Sequence, residues 1–151
     1  MAPIVGYAPG IFDLFHVGHL NILRRAKQHC DVLVAGVLSD EMCLRAKGQP
    51  PVIPAIERLE IVEHVDFVDR VHEEVVPRKL DTWGAVGFDR IFKGDDWRGT
   101  DKGGRLEADM ASVGVEVVYF PYTVTTSSTQ LRRALAALQA ALPAEVVDLA
   151  D

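Results

Sequence analysis

Cysteine is scarce in this sequence, and long apolar runs are missing from it. The 2 cysteines, Cys30 and Cys43, fit neither a disulfide framework nor a four-ligand zinc cluster, which predicts two reduced thiols. No stretch approaches the roughly 18 apolar residues that a membrane-spanning helix needs. The first residues also lack the basic and apolar regions of an export signal. These absences favour a cytoplasmic protein that does not enter a membrane.

Basic residues are fewer than acidic residues. The chain has 16 lysine and arginine residues against 22 aspartate and glutamate residues, which gives a formal net charge of −6 at pH 7. A general positive field of the kind that attracts nucleic acid or anionic lipid is therefore excluded. We expect neither nucleic acid nor a membrane as a partner, and any phosphate must be bound by local groups.

What the sequence does contain is typical of one globular α/β domain. It has 151 residues, of which 48% are hydrophobic and 25% are charged. A chain of this length buries roughly 70% of its unfolded surface on folding, so its core needs no disulfide and no structural metal.

Short apolar runs alternate with segments of helical periodicity along the chain. Runs that are apolar on both faces, such as 31–38, are typical of parallel strands covered by helices. Ser39 and Ser127 stand where helix N-caps are expected, and Ser127 has capping-box spacing with Gln130. Strands are predicted at 4–8, 31–38, 67–71, 90–93 and 115–120, and helices from about 18, after 39, at 56–65, 78–86 and 105–113, and from about 127.

This alternation predicts an α/β fold, a single doubly wound domain with a parallel sheet of about five strands. The domain is expected to span residues 1–141, and residues 142–151 are expected to form a flexible C-terminal tail. Ligands of such sheets lie beyond the carboxyl ends of the strands, where the strand order reverses. The candidate functional loops are therefore 9–18, the segment from 39, 94–100 and 121–129.

Two histidines flank a glycine where the first loop enters the first predicted helix. His16 and His19 are three residues apart, so they share a face of the first helical turn beside its free N–H groups and positive dipole end. Two imidazole donors at that position make a site for phosphate oxygens, and Gly18 lets a phosphate approach the backbone. Two alternatives are surface or capping histidines and a zinc pair, although no third ligand follows at standard spacing.

These residues resemble the HxGH signature of the nucleotidyltransferase superfamily that includes the cytidylyltransferases. Residues 93–99, Lys-Gly-Asp-Asp-Trp-Arg-Gly, are similar to the GDDW loop of glycerol-3-phosphate cytidylyltransferases. Residues 123–129 resemble the Ser/Thr-rich end of the RTxGxSTT motif of that family. The three motifs cover roughly residues 4–135, and on them the chain is identified as a member of the cytidylyltransferase family, with a Rossmann-like fold.

The resemblance implies transfer of CMP from CTP to a small polyol phosphate, with glycerol 3-phosphate favoured. The acceptor phosphate would attack the α-phosphorus in line, pyrophosphate would leave, and a CDP-alcohol would form for cell-wall or capsule polymers. Mg²⁺ bound mainly through the nucleotide phosphates, no protein metal ligands and a homodimer are expected. Two alternatives are an adenylyltransferase acting on a sugar phosphate and a catalytically weak nucleotide-binding regulatory module.

The resemblance also assigns site residues. The catalytic set is His16, His19, Lys47 and Arg58. The nucleotide-binding set is Gly10, Ile11, Phe12, Asp13, Gly18, Asp95, Asp96, Trp97, Thr126, Ser127, Ser128 and Thr129, and the substrate-binding set is Asp13, Arg58 and Trp83. Several of these residues have structural alternatives: a solvated loop lysine for Lys47, an ion pair with Glu57 or Glu60 for Arg58, a polar turn for Asp95, Asp96 and Trp97, helix-to-sheet packing for Trp83, and simple helix capping for Ser127.

The chain departs from the family pattern at three positions. Tyr122 stands where RTxGxSTT begins with arginine, and Thr125 stands where the motif has its glycine. Asp66 replaces an arginine that relatives carry ahead of the aromatic-Val-Asp step. A cation near the triphosphate is therefore missing: either Arg132 or another basic residue replaces it, or the nucleotide binds differently.

Overall fold

The computed structural model describes residues 1–121 and 126–142. The described residues form five β-strands, six α-helices and one 3-10 turn, Asp95–Trp97. The strands are β1 (Val5–Gly10), β2 (Val32–Leu38), β3 (Arg70–Glu74), β4 (Arg90–Gly94) and β5 (Glu116–Phe120). The helices are α1 (Val17–Lys27), α2 (Asp40–Lys47), α3 (Ala55–Glu63), α4 (Lys79–Val86), α5 (Asp101–Ala111) and α6 (Ser128–Ala141). Within the described ranges, no helix is long and apolar enough to cross a membrane.

The five strands form one parallel sheet in the order β3-β2-β1-β4-β5. The chain builds outward from β1 to one side through β2 and β3, and then returns to the other side of β1 through β4 and β5. The strand order therefore reverses beside β1, and a crevice opens there beyond the carboxyl ends of β1 and β4. This architecture confirms the predicted α/β class and the parallel sheet of five strands.

Each face of the sheet carries its own core because successive strand residues point to opposite faces. Ala8 and Phe92 pack with Leu23 of α1 and Val62 of α3 on one face. The other face buries a second cluster under α4 and α5, formed by Tyr7, Val34, Phe88, Ile91, Leu106, Met110 and Val115. Helices on both faces explain why β1 and β2 read as continuous apolar runs.

The structure corrects two predicted boundaries. The third strand is Arg70–Glu74 rather than 67–71, because Phe67 and Val68 pack into the core from the turn that precedes this polar strand. Helix α5 begins at Asp101 rather than 105, because the Thr100 hydroxyl caps it by accepting from the Gly103 N–H at 3.1 Å. Apart from Leu142, the predicted C-terminal tail lies outside the described residues.

Gly103 allows α5 to lie directly against the 3-10 turn that follows β4. A Cβ at Gly103 would lie 1.9 Å from the backbone oxygen of Trp97, whereas a Cβ at Gly104 would meet nothing within 4 Å. The same Trp97 oxygen accepts a hydrogen bond from the Thr100 hydroxyl at 2.7 Å. The turn can therefore keep its position only if residue 103 has no side chain.

We predict opposite effects for alanine at these two neighbouring glycines. Gly103→Ala should lower the free energy of unfolding by about 1–3 kcal/mol, because the new methyl group overlaps the Trp97 backbone. Gly104→Ala should raise it by about 0.5–1 kcal/mol, because alanine is the better helix former and the site is open. Urea unfolding of both variants measures the difference, and equal effects would contradict the proposed contact.

Candidate active site

A cleft of about 360 Å³ lies at the crevice beside β1. Its walls come from the start of α1, the end of β4 with the 3-10 turn, the end of β5 and the start of α6. The lining residues from the predicted motifs are His16, Gly18, His19, Lys93, Gly94, Trp97, Thr126, Ser127 and Ser128. The structure therefore brings parts of all three motifs to one cavity.

His16 and His19 cap helix α1 reciprocally. His16 is the N-cap residue, and its Nδ1 accepts a hydrogen bond from the Gly18 N–H at 3.0 Å. His19 is the third residue of the helix, and its Nδ1 accepts from the His16 backbone N–H at 3.3 Å. The two rings stack with centroids 4.0 Å apart. The contacts have the geometry of a capping box, with imidazoles in place of the usual hydroxyl and carboxylate.

This capping assigns the proton on each ring. An Nδ1 that accepts a hydrogen bond carries no hydrogen, so the hydrogen of each neutral imidazole is on Nε2. The Ser128 hydroxyl donates to the Asp13 backbone oxygen at 2.6 Å, which leaves its oxygen to accept from His16 Nε2, 3.4 Å away. The His16 Nε2–H therefore faces the Ser128 oxygen, and both histidines line the cleft.

Both imidazoles are held neutral. Burial lowers the pKa of His16, and burial lowers the pKa of His19 to about 4. The neighbouring His16 lowers the pKa of His19 further, while Asp13 opposes the shift. Near pH 7 the pair therefore donates hydrogen bonds without carrying a positive charge.

The loop before α1 is fixed by a buried carboxylate. Asp13 is 1% exposed, and its carboxylate accepts from the backbone N–H groups of Val52 at 2.8 Å and Ile53 at 2.9 Å. On either side of it, Phe12 and Leu14 have left-handed backbones with φ of 56° and 51°. Bulky residues adopt that conformation only where surrounding contacts impose it. Asp13 was predicted to contact nucleotide and substrate, but in the structure its carboxylate binds backbone N–H groups of the protein itself.

The start of α6 joins the same site. Ser127 caps the helix by accepting from the Gln130 N–H at 3.1 Å, and the Gln130 side chain accepts from the Ser127 N–H at 3.3 Å. This confirms the predicted capping box. Arg132, one turn along, donates to the Asp13 carboxylate at 3.3 Å and to the Thr129 hydroxyl at 3.5 Å. The predicted replacement cation is therefore already paired.

Arg58 is a buried connector. Its side chain is 0% exposed, and its guanidinium donates to an Asp40 carboxylate oxygen at 2.7 Å. It also donates to the backbone oxygens of Ile53, Ile11 and Leu38 at 2.7–2.8 Å. The structure pairs it with Asp40 rather than with a neighbour on its own helix. Contact with an acceptor phosphate would require some of these bonds to break, and that role stays a prediction.

Other predicted residues lie outside the cleft. Lys47 is the exposed last residue of α2, and Asp95 and Asp96 are exposed in the 3-10 turn. Trp83 packs in the second core and donates from Nε1 to the Phe88 backbone oxygen at 3.1 Å, which agrees with the packing alternative.

Three residues of the first loop were also predicted to bind nucleotide. Gly10 is the last residue of β1, and the Ile11 backbone oxygen accepts a hydrogen bond from Arg58. The Phe12 side chain is buried in the first core. Asp66 is exposed in the turn before β3. Tyr122 and Thr125 lie outside the described residues.

Lys93 lines the cleft but was not assigned a role from the sequence. It is the penultimate residue of β4, and its Nζ lies 3.9 Å from the centroid of the Trp97 ring. Burial lowers the pKa of Lys93 to about 8, Lys79 and Lys102 lower it further, and Glu74 and Asp96 oppose the shift. The available signals were its position at the end of a predicted strand and its place as the first residue of the 93–99 segment.

These groups suit a phosphate ligand. The cleft combines Nε2–H donors from the histidine pair, the hydroxyls and N-terminal turn of α6, and the ammonium of Lys93. Such donors stabilise negative charge on phosphate oxygens without taking part in proton transfer.

We predict that both imidazoles of the free protein titrate below the usual range. In an NMR pH titration, His19 should show a midpoint of about 4, and His16 should titrate below 6.5. At neutral pH both rings should give the chemical shifts of the Nε2–H tautomer. Midpoints at or above 6.5, or Nδ1–H tautomers, would contradict the capping geometry.

We also predict that Arg58 is needed for folding stability. Arg58→Met should lower the free energy of unfolding by about 2–4 kcal/mol, because it leaves several buried acceptors without a donor. Arg45→Met is the matched control, since Arg45 and Glu41 form an exposed ion pair that should be worth less than about 1 kcal/mol. Thermal unfolding of the two variants tests this difference, and similar melting temperatures would refute it.

Comparison with known proteins agrees with the motifs and the geometry. A model of the family described as "Cytidylyltransferase-like" matches residues 7–134. Glycerol-3-phosphate cytidylyltransferase from Bacillus spizizenii is 33% identical over 139 residues, which cover 91% of this chain and 100% of the relative. FAD synthase from Pyrococcus horikoshii is 31% identical over 123 residues, which cover 75% of this chain and 77% of the relative.

A solved structure shares the fold. The crystal structure of the lipopolysaccharide core biosynthesis protein from Thermoplasma volcanium superposes with a TM-score of 0.69 at 26% sequence identity. The alignment covers 83% of this chain and 100% of that chain. Since the family match spans the sheet, the histidine pair and the start of α6, this chain belongs to the cytidylyltransferase-like family of nucleotidyltransferases.

Proposed function

We propose that this chain transfers CMP from CTP to a small polyol phosphate, with glycerol 3-phosphate favoured, and releases pyrophosphate. The observation that carries the proposal is the reciprocal capping of His16 and His19, which leaves their Nε2–H groups as fixed neutral donors. The choice of substrates rests on the likeness to glycerol-3-phosphate cytidylyltransferase over nearly the whole chain.

The reaction needs positioning and charge neutralisation more than acid or base catalysis. An oxygen of the acceptor phosphate attacks the α-phosphorus of CTP, the bond to the bridging oxygen breaks, and pyrophosphate leaves with that bond's electrons. His16 and His19 donate from Nε2 to the α-phosphate and bridging oxygens as negative charge builds there. The N-terminal turn of α6, with Ser127 and Ser128, faces the β- and γ-phosphates.

Mg²⁺ is expected to accompany the triphosphate. The residues that the structure describes contain no group of three or more His, Cys, Asp and Glu side chains that could hold a metal ion. We propose phosphate oxygens and water as its ligands. When bound, the ion would neutralise phosphate charge. The homodimer, the cytoplasmic location and a place in cell-wall or capsule synthesis stay predictions.

An assay of pyrophosphate release tests the proposal. CTP and ATP are each combined with glycerol 3-phosphate, ethanolamine phosphate and sugar phosphates in the presence of Mg²⁺. His16→Asn keeps a side-chain oxygen that can cap α1 but lacks the ring Nε2–H donor, and His19→Ala removes that donor from the first helical turn while keeping a good helix former there. Each should lower kcat by about 10²–10³-fold with little change in melting temperature. His64→Asn, at an exposed histidine at the end of α3, is the control and should keep full activity.

Release with CTP and glycerol 3-phosphate that is lost in the histidine variants would support the proposal. Release with ATP alone would favour an adenylyltransferase, the alternative consistent with the likeness to FAD synthase. Nucleotide binding without any release would favour a regulatory module.

A further inference from the structure

We propose that Lys93 binds a phosphate group of a substrate and supplies the positive charge of the cleft. The inference deepens the proposed function and rests on it, since it assigns a ligand to a residue of the same cavity. The phosphate belongs either to the nucleotide or to the acceptor, and both have the same chemistry at this position.

Lys93 is the cation placed on the wall of the cleft. Of the described residues that line the cavity, it is the one lysine or arginine. Arg132 is bonded to Asp13 and Thr129, and Arg58 is buried among backbone oxygens and Asp40. Residues 122–125, Tyr-Thr-Val-Thr, contribute no lysine or arginine either.

The ammonium of Lys93 forms no ion pair with a carboxylate of the described residues, although Glu74 and Asp96 act on its charge at longer range. Within the described part of the chain, its recorded polar contact is the face of the Trp97 ring, with no hydrogen bond and no carboxylate at ion-pair distance. Removing an ammonium from water without an anion is unfavourable, because the ring replaces only part of its hydration. A bound phosphate oxygen would supply the missing partner.

The buried carboxylate whose charge acts on Lys93 is already engaged. Glu74, at the end of β3, is 0% exposed and accepts from Lys79 Nζ at 2.7 Å and from the Tyr7 hydroxyl at 2.9 Å. Both of its oxygens therefore have donors, and Lys79 repels Lys93 rather than neutralising it. With a pKa of about 8, Lys93 keeps its proton near neutral pH and remains available to an anion.

The surroundings of Lys93 select phosphate over other anions. The same cavity holds the histidine Nε2–H donors and the first turn of α6, which offers Ser127 and Ser128. Donors converging from α1, β4 and α6 can serve the several oxygens of a phosphate chain, whereas a single carboxylate would use few of them.

The experiment compares Lys93→Met, which keeps the aliphatic stem without the charge, with Lys93→Arg, which keeps a charge. Lys102→Met is the matched control, because Lys102 approaches the same Trp97 ring at 6.0 Å but does not line the cavity. Calorimetry measures the affinity for CTP and for inorganic tripolyphosphate, and pyrophosphate release measures KM for each substrate. Thermal melts confirm that the variants fold.

We expect Lys93→Met to weaken one phosphate ligand about 10- to 100-fold, Lys93→Arg to recover much of the loss, and Lys102→Met to match the wild type. Weaker binding of CTP and tripolyphosphate places the nucleotide at Lys93. Unchanged CTP affinity with a raised acceptor KM places the acceptor there. Both outcomes support the inference.

Equal affinities and KM values for the wild type and Lys93→Met would overturn the inference while leaving the proposed function intact. A wild type that binds CTP or tripolyphosphate but releases no pyrophosphate would instead overturn the function, and calorimetry of Lys93→Met would still decide the role of Lys93. A wild type that binds none of the phosphate ligands would overturn both.

Discussion

The buried carboxylate of Asp13 holds together the segments that surround the cleft. It accepts from two N–H groups of the loop before α3 and from Arg132 of α6, and its own backbone oxygen accepts from Ser128. These bonds compensate for burying the charge. They also hold the left-handed backbones of Phe12 and Leu14, which would not persist in a loop left to itself.

From that anchored loop the chain enters α1 with a defined geometry. His16 takes an extended backbone with φ of −139° and ψ of 179°, which is the conformation that an N-cap residue requires. The His16 ring accepts a hydrogen bond from the Gly18 N–H, and the His19 ring accepts one from the His16 backbone N–H. Under the proposed function, helix capping and phosphate recognition share one arrangement, in which the Nδ1 atoms cap the helix and the Nε2 atoms bind the ligand.

Features of the site that depend on neighbouring residues could be predicted from the sequence. The histidine pair, the Ser127–Gln130 capping box and the strand–helix alternation are all local patterns, and the structure contains them. Features that depend on distant segments could not. The burial of Arg58 needs Ile11 and Leu38, which are far apart along the chain. The environment of Lys93 likewise needs Trp97 and the paired Glu74 and Lys79 on other elements.

Helix α6 contributes to the cleft although none of its residues Ser128–Ala141 is buried. Its recorded bonds to the first loop come from its first turns, through Ser128 and Arg132. Detachment of this helix would therefore dismantle one wall of the cleft while leaving both cores of the sheet intact. Local and global unfolding are thus separable in this fold. A ligand that bridges α1 and α6 would stabilise the docked helix, so part of its binding free energy would be expended on completing the site.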